Sequence, residues 1–213
     1  MSKVTTKSEV RLSYTNLLTP RAQDEAKPDV LTYSTAILIP KTEVALVKEL
    51  KAAIKEALAE GVAKKWGGKT PANLKNPLRD GDSERPDDEV YKDHFFINAK
   101  GPRGGKEQPV LLTSKGAQTD SAEVIYSGVF ARLSVQFYPF DVSGNKGVAA
   151  GVTSILSMEH GEPLGNTVTA ESARNEFGIT TPASEAAAEF APASAKAASE
   201  VESTDDDDDP WAS

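Results

Sequence analysis

Residues 124–141 read V-I-Y-S-G-V-F-A-R-L-S-V-Q-F-Y-P-F-D and set rings, a cation and an amide at alternate positions. Ile125, Val129, Ala131, Leu133, Val135 and Phe137 form one set; Tyr126, Gly128, Phe130, Arg132, Ser134, Gln136 and Tyr138 form the other. Successive side chains of a strand point to opposite faces, so the first set predicts a core face and the second an outer one. Rings beside a guanidinium suit nucleobases, because stacking on Tyr or Phe contributes roughly 1–3 kcal/mol per base whatever its identity. Such rings also arise from strand propensity, from a second packed layer or from contact between subunits, and alternation does not choose among these.

The pattern recurs at 93–100, D-H-F-F-I-N-A-K, where Phe95, Ile97 and Ala99 oppose His94, Phe96, Asn98 and Lys100. The next stretch, G-P-R-G-G-K at 101–106, is a turn-rich loop with two cations that could close over a phosphate backbone or simply join two strands. The alternation thus nominates Phe96, Tyr126, Phe130 and Tyr138 for stacking, and Arg11, Lys100, Arg103, Lys106 and Arg132 for phosphates or bases.

Other chemistries find no support. The 213 residues include no cysteine, so there is no thiolate ligand or thiol nucleophile. His94 and His160 stand far apart, and the carboxylates between Asp80 and Glu89 lack the spacing of a calcium loop. Gly67-Gly68-Lys69-Thr70 lacks the earlier glycine and the preceding apolar strand of a phosphate loop. The expectation is a protein that is not an enzyme and holds no metal or cofactor. The first ten residues carry charges with no apolar run after them, and no stretch approaches the roughly 18 apolar residues of a membrane span, which predicts a soluble protein.

The net charge of −8 is unevenly placed. Residues 181–213 hold one lysine against nine acids, so the 24 basic and 32 acidic residues leave 23 of each before that point. A neutral body can still bind a polyanion where its cations gather on one surface.

The elements that must position these residues follow from period and punctuation. Residues 9–18 alternate Val10, Leu12 and Tyr14 against Arg11, Ser13 and Thr15, and 31–39 read as a second strand stopped by Pro40. Over 41–60, Val47, Leu50, Ile54, Ala57 and Leu58 recur at helical spacing, with Thr42 as a cap and Gly61 as an end signal, unless Val62 to Trp66 prolong the helix. A long polar excursion fills 66–92. Strands are expected at 93–100, 108–113, 124–141 and 147–160, with a tight reversal at 141–147 and Gly151 as a bulge or close approach. A short helix is expected around 170–177. From about 179 onward the Ala-, Ser-, Glu- and Pro-rich chain cannot bury enough apolar surface to order itself.

These strings, V-R-L-S-Y-T-N-L at 10–17, A-I-L-I-P-K at 36–41, D-H-F-F-I-N-A-K at 93–100, Y-S-G-V-F-A-R-L-S-V-Q-F-Y-P-F-D at 126–141 and G-N-K-G-V-A-A at 144–150, resemble a family of phage single-stranded DNA-binding proteins with an oligonucleotide-binding (OB) fold. The resemblance covers most of residues 5–165. It implies a mainly β body over 1–178, a five-stranded Greek-key barrel with an inserted helix and a long loop excursion, followed by a disordered acidic tail over 179–213. It implies sequence-independent binding and protection of single-stranded DNA during phage replication and recombination, in the cytoplasm of an infected bacterium, with a homodimer allowed. The ending, Asp205, Asp206, Asp207, Asp208, Asp209, Pro210, Trp211, is similar to the acidic tails through which such proteins recruit replication and recombination proteins, although those finish on Phe. The competing reading is a structural or assembly protein whose aromatic faces are subunit interfaces.

Overall fold

Val, Ile and aromatic residues at alternate positions favour pleated structure, and in the computed structural model they build one nine-stranded sheet. The structure describes residues 2–165 and 176–177. In chain order the elements are β1 (Ser2–Thr5), β2 (Val10–Ala22), β3 (Leu31–Pro40), α1 (Val44–Lys64), β4 (Leu74–Lys75), β5 (Leu78–Asp80), α2 (Gly81–Glu84), a 3-10 turn (Glu89–Tyr91), β6 (His94–Lys100), α3 (Pro102–Gly105), β7 (Val110–Leu112), β8 (Phe130–Val142) and β9 (Asn145–Glu159). The helix expected near 170–177, the 178/179 boundary and the acidic tail lie outside the described residues, Glu176 and Phe177 apart. No helix among the described residues is long and apolar enough to cross a membrane.

The expected five-stranded barrel needs correction. The chain is mainly β with helical insertions, in keeping with OB topology, but the sheet is not closed into such a barrel. It runs β1-β8-β2-β3-β6-β9-β4 with ends at β1 and β4, β5 and β7 branch from β6 and β9, and β8 also pairs β9. Two of its seams are short: β2 meets β8 through two register pairs, and so does β6 with β9. Three strands, β1, β4 and β5, went unread because each has four residues or fewer, whereas β7 lies inside the strand expected at 108–113. The long β8–β9 hairpin dominates instead, its reversal formed by Ser143 and Gly144 at positive φ.

The core gathers Leu12, Ile37, Ile39, Ile97, Val135, Phe137, Val152 and Ile155 from the sheet with Leu46, Val47, Leu50, Ala53 and Ala57 from α1. Burying a Leu or Val side chain contributes about 1.5–3 kcal/mol, so α1 holds because its apolar stripe meets β1, β8 and β9. Its start departs from expectation, and of the two ends the sequence allows it takes the longer. Glu43, not Thr42, is the N-cap and makes no side-chain bond, and the helix passes through Gly61 to Lys64. Gly61 is there for space, since an added Cβ would fall 2.6 Å from the Trp66 ring. That ring folds back under the helix end, and its Nε1 donates to the Phe140 carbonyl at 3.2 Å.

The 66–92 excursion adds β4 and β5 to the sheet and folds its later residues over Phe96. β5 pairs β6, and Asp80 accepts from the Asp82 amide to start α2. Lys41 Nζ donates to Asp80 at 2.8 Å and Asp82 at 2.5 Å, while Asp82 also accepts from the Asp93 amide. Tyr91 then lies edge-on to Phe96, centroids 5.1 Å apart, beside buried Leu38.

Candidate nucleic-acid interface

The outer face of β3 and β6 is the one that carries Ser34, Ala36 and Leu38 beside Phe96, Asn98 and Lys100, in the register Ser34↔Lys100 to Leu38↔Phe96. The excursion covers its Leu38–Phe96 end. The rest stays open and forms a groove with two compartments that meet at Asn98. The smaller, about 270 Å³, is lined by Tyr14, Asn16, Gln23, Ser34, Thr35, Arg85 and Asn98. The larger, about 960 Å³, runs past Arg79, Lys100, Gly104, Tyr138, Phe140, Val148 and Ala149, with Lys75 and Leu78 on its excursion side.

Tyr14 sits at the head of the small compartment because β2 slips. One extra residue of β2 lies between the pairs Ser13↔Ala36 and Asn16↔Ser34, and Tyr14 takes φ 46° there. A bulge reverses the phase of the strand, so Ser13 is buried and Tyr14, read from the sequence as core, is 57% exposed. Positive φ is unfavourable for an aromatic residue and persists only where its surroundings impose it. Here Arg85 lies over the ring at 5.3 Å and donates to its hydroxyl at 3.4 Å. The same guanidinium lies 4.4 Å from the Tyr91 centroid and 5.6 Å from that of Phe96, and Arg79 covers Phe96 at 4.7 Å. Arg79 pairs with Glu84, Nε to Oε2 2.6 Å, and Arg85 stands 3.8 Å from Asp88.

Tyr138 anchors the large compartment. It pairs Ala149 across the hairpin, and its ring edge approaches Gly151, where an added Cβ would sit in ordinary contact at 3.5 Å. Burial pushes the phenol above its usual range, so it stays uncharged where phosphates would pass. Arg103 and Lys106 are exposed on the loop whose Gly104 reaches this compartment. That loop is an ordered turn: Gly105 packs on Thr32 and Arg103 Nε meets Glu107 at 3.1 Å.

The nine residues nominated from alternation therefore divide. Lys100 and Tyr138 line the groove, with Arg103 and Lys106 at its loop. Phe96 has the right face but is 0% exposed beneath Tyr91, Arg79 and Arg85, so its stacking role is withdrawn. Arg11, Tyr126, Phe130 and Arg132 lie outside the groove lining and are engaged by the protein itself. Arg11 Nε donates to the Gly128 carbonyl at 3.2 Å and Nη2 to that of Glu162 at 2.6 Å, with the guanidinium over Phe130. Tyr126 donates to the Gly161 carbonyl at 2.9 Å and stacks on His160; Arg132 Nε donates to the Thr6 carbonyl at 3.2 Å. The strand starts at Phe130 and not at Val124, because Gly128 at φ 117° ends a turn there and its amide bonds Leu12. Tyr14, Arg79, Arg85 and Phe140 escaped sequence reasoning. Asn98 alone was signalled, by its place on the outer face.

Residues 2–190 match the protein family described as the ssDNA-binding protein of Enterobacter phage Enc34. A putative protein p50 of Acyrthosiphon pisum secondary endosymbiont phage 1 is 29% identical over 167 residues, 73% of this chain and 83% of that one. Among solved structures, the single-stranded DNA-binding protein of bacteriophage Enc34 in complex with ssDNA aligns with a TM-score of 0.58 at 23% identity, over 76% of this chain and 88% of that one. The single-stranded DNA-binding protein of bacteriophage T7 aligns with a TM-score of 0.51 at 16% identity, over 82% and 93%.

Proposed function

Because the chain belongs to the phage family of ssDNA-binding proteins represented by that of Enterobacter phage Enc34, we propose that it binds single-stranded DNA, without regard to overall sequence, along the groove centred on Asn98. The observation that carries this reading is a trough whose two compartments meet at Asn98, with an exposed ring, Tyr14, at one end, a half-buried one, Tyr138, at the other, and Arg85, Arg79, Lys100 and Lys75 between and beside them. Rings take bases of any identity, and the cations take the backbone. Phe140 and Val148 widen the apolar floor of the large compartment, which suits bases freed from pairing.

The role is coating and protection of single strands during phage replication and recombination, without catalysis. The acidic end, Asp205 to Asp209 with Trp211, recruits partner proteins whose pockets join an apolar slot to Lys or Arg.

Titration of a labelled oligo-dT and a duplex of equal length at two salt concentrations tests the reading. Four groove cations predict tight binding that weakens with salt, with a log–log slope of about −3 on single strands. Equal affinity for duplex, or no affinity for oligo-dT, overturns it. A cleavage assay with magnesium checks the absence of nuclease activity.

A further inference from the structure

The two halves of the groove offer different chemistry. The large compartment is floored by apolar side chains and rimmed by Lys75, Arg79 and Lys100. The small one is lined by uncharged polar groups, with Arg85 its one cation among the described lining residues. A lining of amides and hydroxyls matches poorly to a phosphate and well to the polar edge of a base.

Which edge it matches follows from the groups left without a protein partner. Asn16 Nδ2 donates to the Tyr14 carbonyl at 3.3 Å, and Gln23 Nε2 donates to Ser34 Oγ at 2.9 Å. Their side-chain oxygens, Asn16 Oδ1 and Gln23 Oε1, are thereby left as acceptors, with no protein partner among the described residues. Asn98, at the junction, adds a third amide oxygen and one NH2 group. Three acceptors in one pocket call for a ligand with more than one N–H. The exocyclic amine of cytosine or adenine supplies two, whereas the thymine edge has the single N3–H between two carbonyls.

We infer that the compartment beside Tyr14 is a base-reading subsite that prefers a nucleobase bearing an exocyclic amine to thymine, through the amide oxygens of Asn16, Gln23 and Asn98. This rests on the reading of the groove as a single-strand site. It lays a preference at one nucleotide over a general affinity supplied by stacking and charge. Tyr14, held outward at φ 46°, provides the ring against which that base is oriented.

The test compares oligo-dC with oligo-dT of equal length at one salt concentration and pH 8, in the wild type and in Gln23→Leu and Asn98→Ala. Two pyrimidines are chosen because strong self-stacking of oligo-dA would confound the comparison. The wild type should hold oligo-dC about fivefold tighter, a value for one hydrogen-bonded base edge in an open site. Each variant should bring the ratio towards one by weakening oligo-dC more than oligo-dT. A wild-type ratio of one or a preference for thymine overturns the inference, as does a ratio that survives both variants. Equal weakening on both strands also overturns it, since the amides would then be general contacts. Failure to bind either strand would instead remove the functional reading on which the inference stands.

Discussion

Two clusters in this molecule have nearly the same composition and opposite uses. Around Phe130 stand Arg11, Arg132, Tyr126 and His160; around the groove stand Arg79, Arg85, Tyr14 and Tyr138. In the first, the arginine donors end on backbone carbonyls of Gly128, Glu162 and Thr6. In the second they end on side chains, Arg79 on Glu84 and Arg85 on the Tyr14 hydroxyl with Asp88 nearby. A carboxylate can give way to a phosphate with little movement of the backbone. A carbonyl inside a turn cannot be released without undoing the turn. What separates a structural arginine from a binding one is thus the kind of acceptor it holds, not its neighbours in sequence.

The largest effect that could break this comparison is on affinity. Replacing Tyr14 and Tyr138 together by alanine should weaken oligo-dT binding about thirtyfold, two stacking contacts at the lower end of their usual range. The thermal midpoint should change little, because Tyr14 is exposed and Tyr138 stands on the outer face. The same pair of changes at Tyr126 and Phe130 should lower stability and leave affinity within about twofold. The opposite outcome would restore the strand 124–138 as the interface.

A smaller effect is expected on stability. Arg11→Ala removes two hydrogen bonds from a charged donor to carbonyls and uncovers one face of Phe130, which should cost about 1–2 kcal/mol in a denaturant titration. Its effect on oligo-dT affinity should be slight. Smaller again is Glu84→Gln, which frees Arg79 for a phosphate. Binding should tighten about threefold and its salt dependence steepen, since the arginine no longer exchanges one anion for another. Unchanged affinity would mean that Arg79 serves only to cover Phe96.

Much of the scaffold was legible because its cause is periodic. The strands at 31–40 and 94–100, the helix after Pro40 and the β8–β9 reversal all follow from alternation, helical spacing and glycine placement. The outer face of β6 was also identified rightly, since Asn98 and Lys100 lie where alternation puts them. Phe96 shows the limit. Its face was right, but residues 79–91 cover it, and that segment has no period of its own to announce the cover. Tyr14 failed for a different reason: one bulged residue inverts a strand's faces, and nothing in V-R-L-S-Y-T marks the slip. Three short strands, β1, β4 and β5, left no alternation to read, so the number of strands and the openness of the sheet stayed hidden. The candidate site thus came half from pattern, at Lys100 and Tyr138, and half from contacts between distant segments, at Tyr14, Arg79 and Arg85.

The gentlest way to sharpen the contrast uses pH. Lys41 holds Asp80 and Asp82, and its hydrogen bonds keep both carboxyls below the ordinary aspartate value of 3.8. A group whose pKa is lowered on folding contributes stability that is full above its unfolded value and is lost as pH falls through the folded one. The clasp should therefore persist down to about 3.8 and loosen below it. On the alkaline side Lys41 is raised above 10.5 by the same two partners, so its contribution is lost only above that. Arg11 and Arg132 end on carbonyls, which do not titrate. In an acid NMR titration the methyls of Leu78 and Val90 should therefore move before those of Val129 and Leu133, and Lys41→Met should reproduce that first movement at neutral pH. Simultaneous movement of the two sets would show that the excursion is held by its packing on Leu38 and Phe96, with the ion pairs incidental.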